Sequence, residues 1–179
     1  MTELHVRRGR WARIRSAGGV ATAGGLAIGA LAVSVLPAAA DWQYTQWGMT
    51  PAQVKAASGE VAQANPDRRL DADGLSAALT ASYQGESIPF TAAFLFNRQD
   101  MLRYVTLSPV DRISCPLIVE TLAAHYGPPE GRADMVHART MRWDDAVNDN
   151  LVVYLDLGGG SCTIQYSKLP PTRPDGKGL

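Results

Sequence analysis

The sequence predicts an α+β fold: two helix-plus-antiparallel-meander units packed as one two-layer domain. Three observations carry that prediction. Thr50-Pro51-Ala52-Gln53 is a complete helix start, Leu75 to Ser108 alternates apolar and polar residues across two short turns, and a second proline-led helix at Cys115-Pro116 precedes more alternating segments.

The first helix has the densest signal. Thr50 stands at the N-cap, Pro51 at the first helical position where its missing N–H costs nothing, and Gln53 three residues on can reach back to the cap. Met49 and Val54 fall where a hydrophobic staple closes, and Gly59 offers a left-handed stop after about two turns. So short a helix is unstable alone, so an apolar face of Val54, Ala57 and Val61 must pack on something else. Asn65 to Arg69 lacks a sustained period and reads as connection.

The period then becomes two. Leu75, Ala77, Leu79, Ala81 and Tyr83 make a first strand, Phe90, Ala92, Phe94 and Phe96 a second, and Met101 to Ser108 a third. Gln84-Gly85-Glu86-Ser87 and Asn97-Arg98-Gln99-Asp100 are turns too short to join anything but antiparallel neighbours. Beyond them Val119, Leu122, Ala123 and Tyr126 share one face of the second helix, which Gly127-Pro128-Pro129 ends. Strands are expected at Val136 to Trp143, Leu151 to Leu157 and around Cys162, Ile164 and Tyr166. Pro116, Trp143 and Leu151 follow Pro51, Tyr83 and Phe90 at near-constant offsets of 60 to 65 positions, the pattern of a duplication with units at 41–110 and 111–169.

The first forty residues read as a signal peptide. Arg7, Arg8, Arg10, Arg13 and Arg15 precede an uncharged run from Ser16 to Leu36, and Pro37-Ala38-Ala39-Ala40 supplies a small-residue cleavage site before Asp41. Arg7-Arg8 also admits twin-arginine export. The cleavage point has no cysteine, so no lipid anchor is expected, and no stable membrane anchor after cleavage. The expected location is periplasmic or secreted. The segment 170–179 is rich in breakers and reads as a disordered tail.

The whole chain is neutral, with 17 Lys+Arg against 17 Asp+Glu. The expected mature chain loses five arginines and Glu3 and becomes acidic, which disfavours nucleic acid as a partner. Its two cysteines suit a disulfide in an exported protein. Cys115 lies on the apolar side of its helix, and Cys162 is in phase with Ile164 and Tyr166, so both point into the helix–sheet layer. A Cys115–Cys162 bridge would close a loop of about 48 residues and contribute on the order of 4 kcal/mol.

No catalytic set emerges. There is no G-x-S-x-G elbow, His125 sits near a helix C-terminus where histidine caps, and His137 alternates with Val136 and Ala138 toward solvent. Asp144, Asp145 and Asp149 with Asn148 and Asn150 miss the EF-hand spacing and suit a hairpin turn. Gly158-Gly159-Gly160 lacks the following helix of a phosphate loop. No metal and no cofactor are expected.

Gly48-Met49-Thr50-Pro51-Ala52-Gln53-Val54 with Gly59 resembles the G-M-T-x-x-Q-V…G helix start of small bacterial envelope proteins, among them the SmpA/OmlA-type lipoproteins of the outer-membrane β-barrel assembly machinery. The tandem plan also resembles the β-lactamase-inhibitor-protein (BLIP-like) architecture, in which two helix-and-sheet units grip a partner protein. The resemblance implies a non-enzymatic, exported module that binds another envelope or secreted protein. Tyr83, Tyr104, Tyr154 and Arg139 are the expected anchors, because aromatic and Arg side chains favour such surfaces. A periplasmic small-molecule binder is the alternative, and a hydrolase-type enzyme a more distant one.

Overall fold

A computed structural model describes residues 41–72, 74–111 and 114–171. The expected signal peptide at 1–40 and residues 172–179 of the expected tail lie outside them. The strands of the described residues form one continuous antiparallel sheet of eight: β1 (Gln63–Ala64), β2 (Ser76–Gln84), β3 (Pro89–Phe96), β4 (Leu102–Pro109), β5 (Gly131–Asp134), β6 (Arg139–Asp145), β7 (Asn150–Asp156) and β8 (Cys162–Lys168). Their order is β1-β2-β3-β4-β8-β7-β6-β5. Among the described residues two short helices accompany them, α1 (Pro51–Ala57) and α2 (Cys115–Tyr126), with one 3-10 turn at Arg68–Leu70.

This overturns the α+β class with two helix-plus-meander units. The last strand β8 pairs along β4, from Tyr104↔Ser167 to Leu107↔Ile164, so strand hydrogen bonds run unbroken across the whole sheet. Helices of 7 and 12 residues are too short to form a layer of their own. Two strands were also missed. β1 is only two residues long, and β5 with β6 forms a hairpin whose tip is Met135 to Ala138, where a single strand beginning at Val136 was expected.

Local chemistry behaves as the sequence demands around α1. The Thr50 side chain accepts from the Gln53 N–H, and the Thr50 N–H donates to Gln53 Oε1 at 2.8 Å, completing the capping box. The inner face differs from expectation: Val54 is fully buried, but Ala57 is exposed and Val61 is 58% exposed. Gly59 and Glu60 both take positive φ, 63° and 66°, which turns the chain out of helical phase before Val61 and buries Ala62 instead. Gly48, at φ 91°, donates its N–H to Leu102 O at 3.0 Å, and Leu102 N–H returns a bond to Met49 O at 2.8 Å. The Trp47-Gly48 prefix therefore stitches the helix start to β4.

The core lies on the helix side of the sheet. Phe90, Ala92, Phe94 and Phe96 of β3, Leu102, Val105 and Leu107 of β4, Met141 and Trp143 of β6, and Val152 and Tyr154 of β7 pack there with Trp42, Val54, Ile118 and Leu122. Burying one such large side chain contributes about 2–3 kcal/mol. The bridge between Cys115 and Cys162 ties α2 to β8, with Cα atoms 5.9 Å apart. Trp143 Nε1 donates to Gly127 O at 2.9 Å and fixes the other end of α2 over β6. On the opposite face a small cluster of Ala77, Ala93 and Leu95 packs with Leu75 and Tyr104.

Candidate functional site

The helix-covered side of the sheet contains a half-open cavity of about 440 Å³ between α2 and the N-terminal turn at Asp41 to Trp47. Its floor is apolar and central to the sheet: Phe90 from β3, Leu107 from β4 and Ile164 from β8. Leu107 and Ile164 are direct cross-strand partners, so the cavity sits over the seam where β4 meets β8. One wall is α2, through Ile118, Thr121, Leu122, His125 and Tyr126; the other is Trp42 and Gln43. The β2–β3 turn at Gly85 to Ile88 and, beside the β6–β7 turn, Asp145, Asn148 and Asn150 complete its lining.

The N-terminal wall is held by hydrogen bonds to distant residues. Trp47 Nε1 donates to Asn150 Oδ1 at 3.1 Å, while Asn150 Nδ2 donates to the Asp41 carbonyl. Asp41 Oδ2 in turn accepts from the Trp47 N–H at 2.5 Å. Trp42 is thereby set against an aromatic cluster, with ring centroids 5.4 Å from Tyr83, 5.9 Å from Phe94 and 6.1 Å from Tyr166. Buried aromatic rings have few rotamers and give a preformed wall.

Polar groups converge on this apolar frame. Asp145 is only 9% exposed, and its carboxylate accepts from Asn148 N at 3.2 Å and Asn148 Nδ2 at 2.7 Å. Burial, the neighbouring Tyr126 hydroxyl and the Asp145 charge together push the Tyr166 hydroxyl well above its ordinary pKa of 10. Tyr126 is raised too, chiefly by burial, with the Asp145 charge adding to it and the Tyr166 hydroxyl opposing it. Burial also raises Tyr83, whose hydroxyl accepts from Gln43 Nε2 at 3.3 Å. All three tyrosines remain protonated through the physiological range, so they act here as hydrogen-bonding and ring groups, not as bases.

The four expected anchors do not form one surface. Tyr83 borders the cavity. Tyr104 lies on the opposite face, against Ala77, Ala93 and Leu95. Tyr154 is 1% exposed, with its hydroxyl donating to Cys115 O at 3.3 Å, so it is a core residue beneath α2 and offers no contact area. Arg139 is exposed and pairs with Asp134 at 3.1 Å on the β5–β6 edge. The sequence reading took Leu151, Val153, Leu155 and Leu157 as the alternating run of this strand, whereas Val152 and Tyr154 are the buried side and Leu151, Val153 and Leu155 the half-exposed one.

The Cys115–Cys162 disulfide is present. His137 is exposed, and His125 lies at the cavity rim in edge contact with Tyr126, centroids 4.5 Å apart. Gly158, Gly159 and Gly160 all take positive φ, which accounts for the glycine run as a turn. Among the described residues no group of three or more His, Cys, Asp or Glu side chains is placed to hold a metal ion. What the sequence reading missed is the set formed by Trp42, Tyr126, Asp145 and Tyr166. Their individual phases were legible, Tyr126 on the inner face of α2 and Tyr166 in phase with Ile164, but not their meeting.

Fold and cavity together define a class: a single antiparallel sheet that cradles a half-open, aromatic-walled pocket beneath a short disulfide-tethered helix. No family model and no curated protein matches the chain. Among solved structures it is similar to a DUF4309 family protein (YjgB) from Bacillus subtilis subsp. subtilis str. 168, at 11% identity and a TM-score of 0.46, covering 71% of this chain and 83% of that one. A likeness that slight assigns no activity.

Proposed function

We propose that this chain is an exported binding protein that holds a small organic molecule in the cavity between α2 and the N-terminal turn. The observation that carries this reading is the cavity itself: about 440 Å³, apolar at its floor and lined by Tyr83, Tyr126, Tyr166, Asp145 and Asn150 at its sides. Pockets of roughly 300–1,000 Å³ with an apolar lining and a few convergent polar groups are the usual form of a small-molecule site. Export is supported by the arginine-rich start, the uncharged run and the small residues before Asp41, and by the disulfide, a bond that persists in oxidising compartments.

The test is a thermal-shift screen of a fragment library against the residue 41–179 chain and its Thr121→Trp variant. Thr121 is half-buried on the α2 wall, so the indole would fill the cavity with little cost to the core. Ligands that bind only the folded state raise the melting temperature. Fragments that stabilise the parent chain and lose that effect in Thr121→Trp support the proposal; a library that stabilises neither, or both equally, overturns it.

A second reading, a protein partner on the sheet face opposite the helices, is favoured by one observation. Leu151, Val153 and Leu155 form a half-exposed row on β7 on that face. Strand addition at the edges is disfavoured, since β1 has two residues and β5 carries the Arg132–Asp134 ion pair. Loss of capture from envelope extract on Val153→Asp, with folding retained, would support this reading, and unchanged capture would count against it.

A further inference from the structure

We infer that the cavity is built for an organic cation, an amine carrying an apolar ring or chain, a ligand class that rests on the binding reading above. The sign of the lining decides it. Among the described residues Asp41, Glu86 and Asp145 border the cavity and no Lys or Arg does, although the whole chain carries equal numbers of acidic and basic residues. Among the described residues none of these three carboxylates has an ion-pair partner, while Lys55, Arg68, Arg69, Arg132, Arg139, Arg142 and Lys168 are all paired elsewhere. Carboxylates beside low-dielectric walls create a negative potential that a cationic ligand relieves and an anionic one worsens.

Two of the three lie at the same end. Asp145 and Asn150 are cross-strand partners at the β6–β7 turn, and Asn150 holds the Asp41 backbone through its side-chain amide. Asp145 is the most enclosed, with only the neutral amides of Asn148 on its oxygens, and its charge is felt by both Tyr126 and Tyr166. A carboxylate among aromatic rings is the chemistry that recognises ammonium groups: the anion supplies charge-assisted hydrogen bonds and the ring faces add cation–π attraction. The apolar floor of Phe90, Leu107 and Ile164 then takes the body of the ligand.

The experiment compares three probes that share a phenyl ring and a two-carbon arm by calorimetry on the folded chain: phenethylamine, 2-phenylethanol and phenylacetate. The expected order is amine over alcohol over acid. Asp145→Asn and Asp41→Asn should each weaken the amine at least tenfold and leave the alcohol within twofold. Both substitutions keep an oxygen that can accept the existing bond from Asn148 or Trp47. Equal binding of amine and alcohol, or binding of the acid, overturns the cation inference while leaving a ligand cavity in place. If fragments bind the parent chain and not Thr121→Trp, yet phenethylamine does not bind, the cation inference fails alone; if no fragment binds, the cavity reading fails with it.

Discussion

Asn150 of β7 accepts a 3.1 Å hydrogen bond from the indole N–H of Trp47, 103 residues earlier in the chain. Its amide also donates to the Asp41 carbonyl, and the side chain is 98% buried, so one residue fastens the N-terminal turn to the sheet. Truncating it strands a partly buried donor and acceptor, each costing about 1–3 kcal/mol. Asn150→Ala should therefore lower stability by about 3 kcal/mol in urea titration. It should also raise the fluorescence quenching of Trp42 by acrylamide, because the wall that buries that ring is released. A loss below about 0.5 kcal/mol would mean that water replaces both bonds.

The disulfide joins α2 to β8 across 47 positions. α2 has no side-chain cap bond at Ser114, and besides its core contacts it is held by the Tyr154–Cys115 and Trp143–Gly127 hydrogen bonds. Cross-linking of this span removes about 4 kcal/mol worth of unfolded-chain entropy. Cys115→Ala with Cys162→Ala should lower unfolding free energy by about that amount. Proteolysis should then cut first within α2, where mass spectrometry of the fragments would locate it. First cleavage in the β2–β3–β4 region would contradict this.

Gly85 in the β2–β3 turn is required by space, not by its backbone angle. A Cβ there would stand 2.9 Å from Phe90 Cε2, closer than carbon atoms pack. Phe90 is buried and forms part of the cavity floor. Gly85→Ala should cost about 1–2 kcal/mol as the ring shifts. The check is a melting curve together with the chemical shifts of the Phe90 ring, which should move while those of Phe96 stay put.

These sites differ in how far the sequence discloses them, and the difference follows the range of the interactions. The capping box at Thr50 and Gln53 is closed within four residues, so it is readable from spacing alone. The turn at Asn97 is as local, its Oδ1 accepting from Gln99 and Met101 at 3.0 Å. The Cys115–Cys162 pairing was readable because there are only two cysteines and each strand or helix phase could be checked. Sheet order was not, since the β4–β8 pairing depends on which strand edges remain free once every hairpin has closed. That single pairing joins the strands of both expected repeats into one sheet. Asp145 shows the same limit at the site. Its turn chemistry with Asn148 was visible, but its place in a cavity depends on Asn150, Trp47 and Asp41 meeting from opposite ends of the chain.

Asp67 offers a clean local titration. The Arg69 guanidinium contacts both its oxygens, at 2.9 and 2.7 Å, and holds its carboxyl down to about 2. A depressed carboxylate pKa adds stability above the ordinary value near 4, and that contribution is lost as pH falls toward 2. The ion pair lies at the solvent-accessible surface, so the effect on global stability is screened and small. Carbon-detected NMR should give a midpoint for Asp67 near 2, returning toward 4 in Arg69→Gln. An unchanged midpoint in the variant would assign the shift to the turn backbone instead.

Alkaline pH should expose the aromatic side of the cavity. Tyr44, Tyr83, Tyr126, Tyr154 and Tyr166 all have hydroxyls raised above 10 in the folded chain, Tyr166 the furthest, with burial as the leading cause. The unfolded chain ionises its tyrosines near 10, while the folded chain resists. Below pH 10 both states hold the same protons and stability is flat in this respect. Above it the unfolded state releases protons first, so stability falls with rising pH until the folded groups ionise as well. The chain should therefore show a smaller urea midpoint at pH 11 than at pH 9, with tyrosinate absorbance near 295 nm rising together with unfolding. Tyr166→Phe removes the largest contributor and should flatten that decline. If the pH 9 to 11 drop is the same in Tyr166→Phe as in the parent chain, the hydroxyl is not held in the environment described for it.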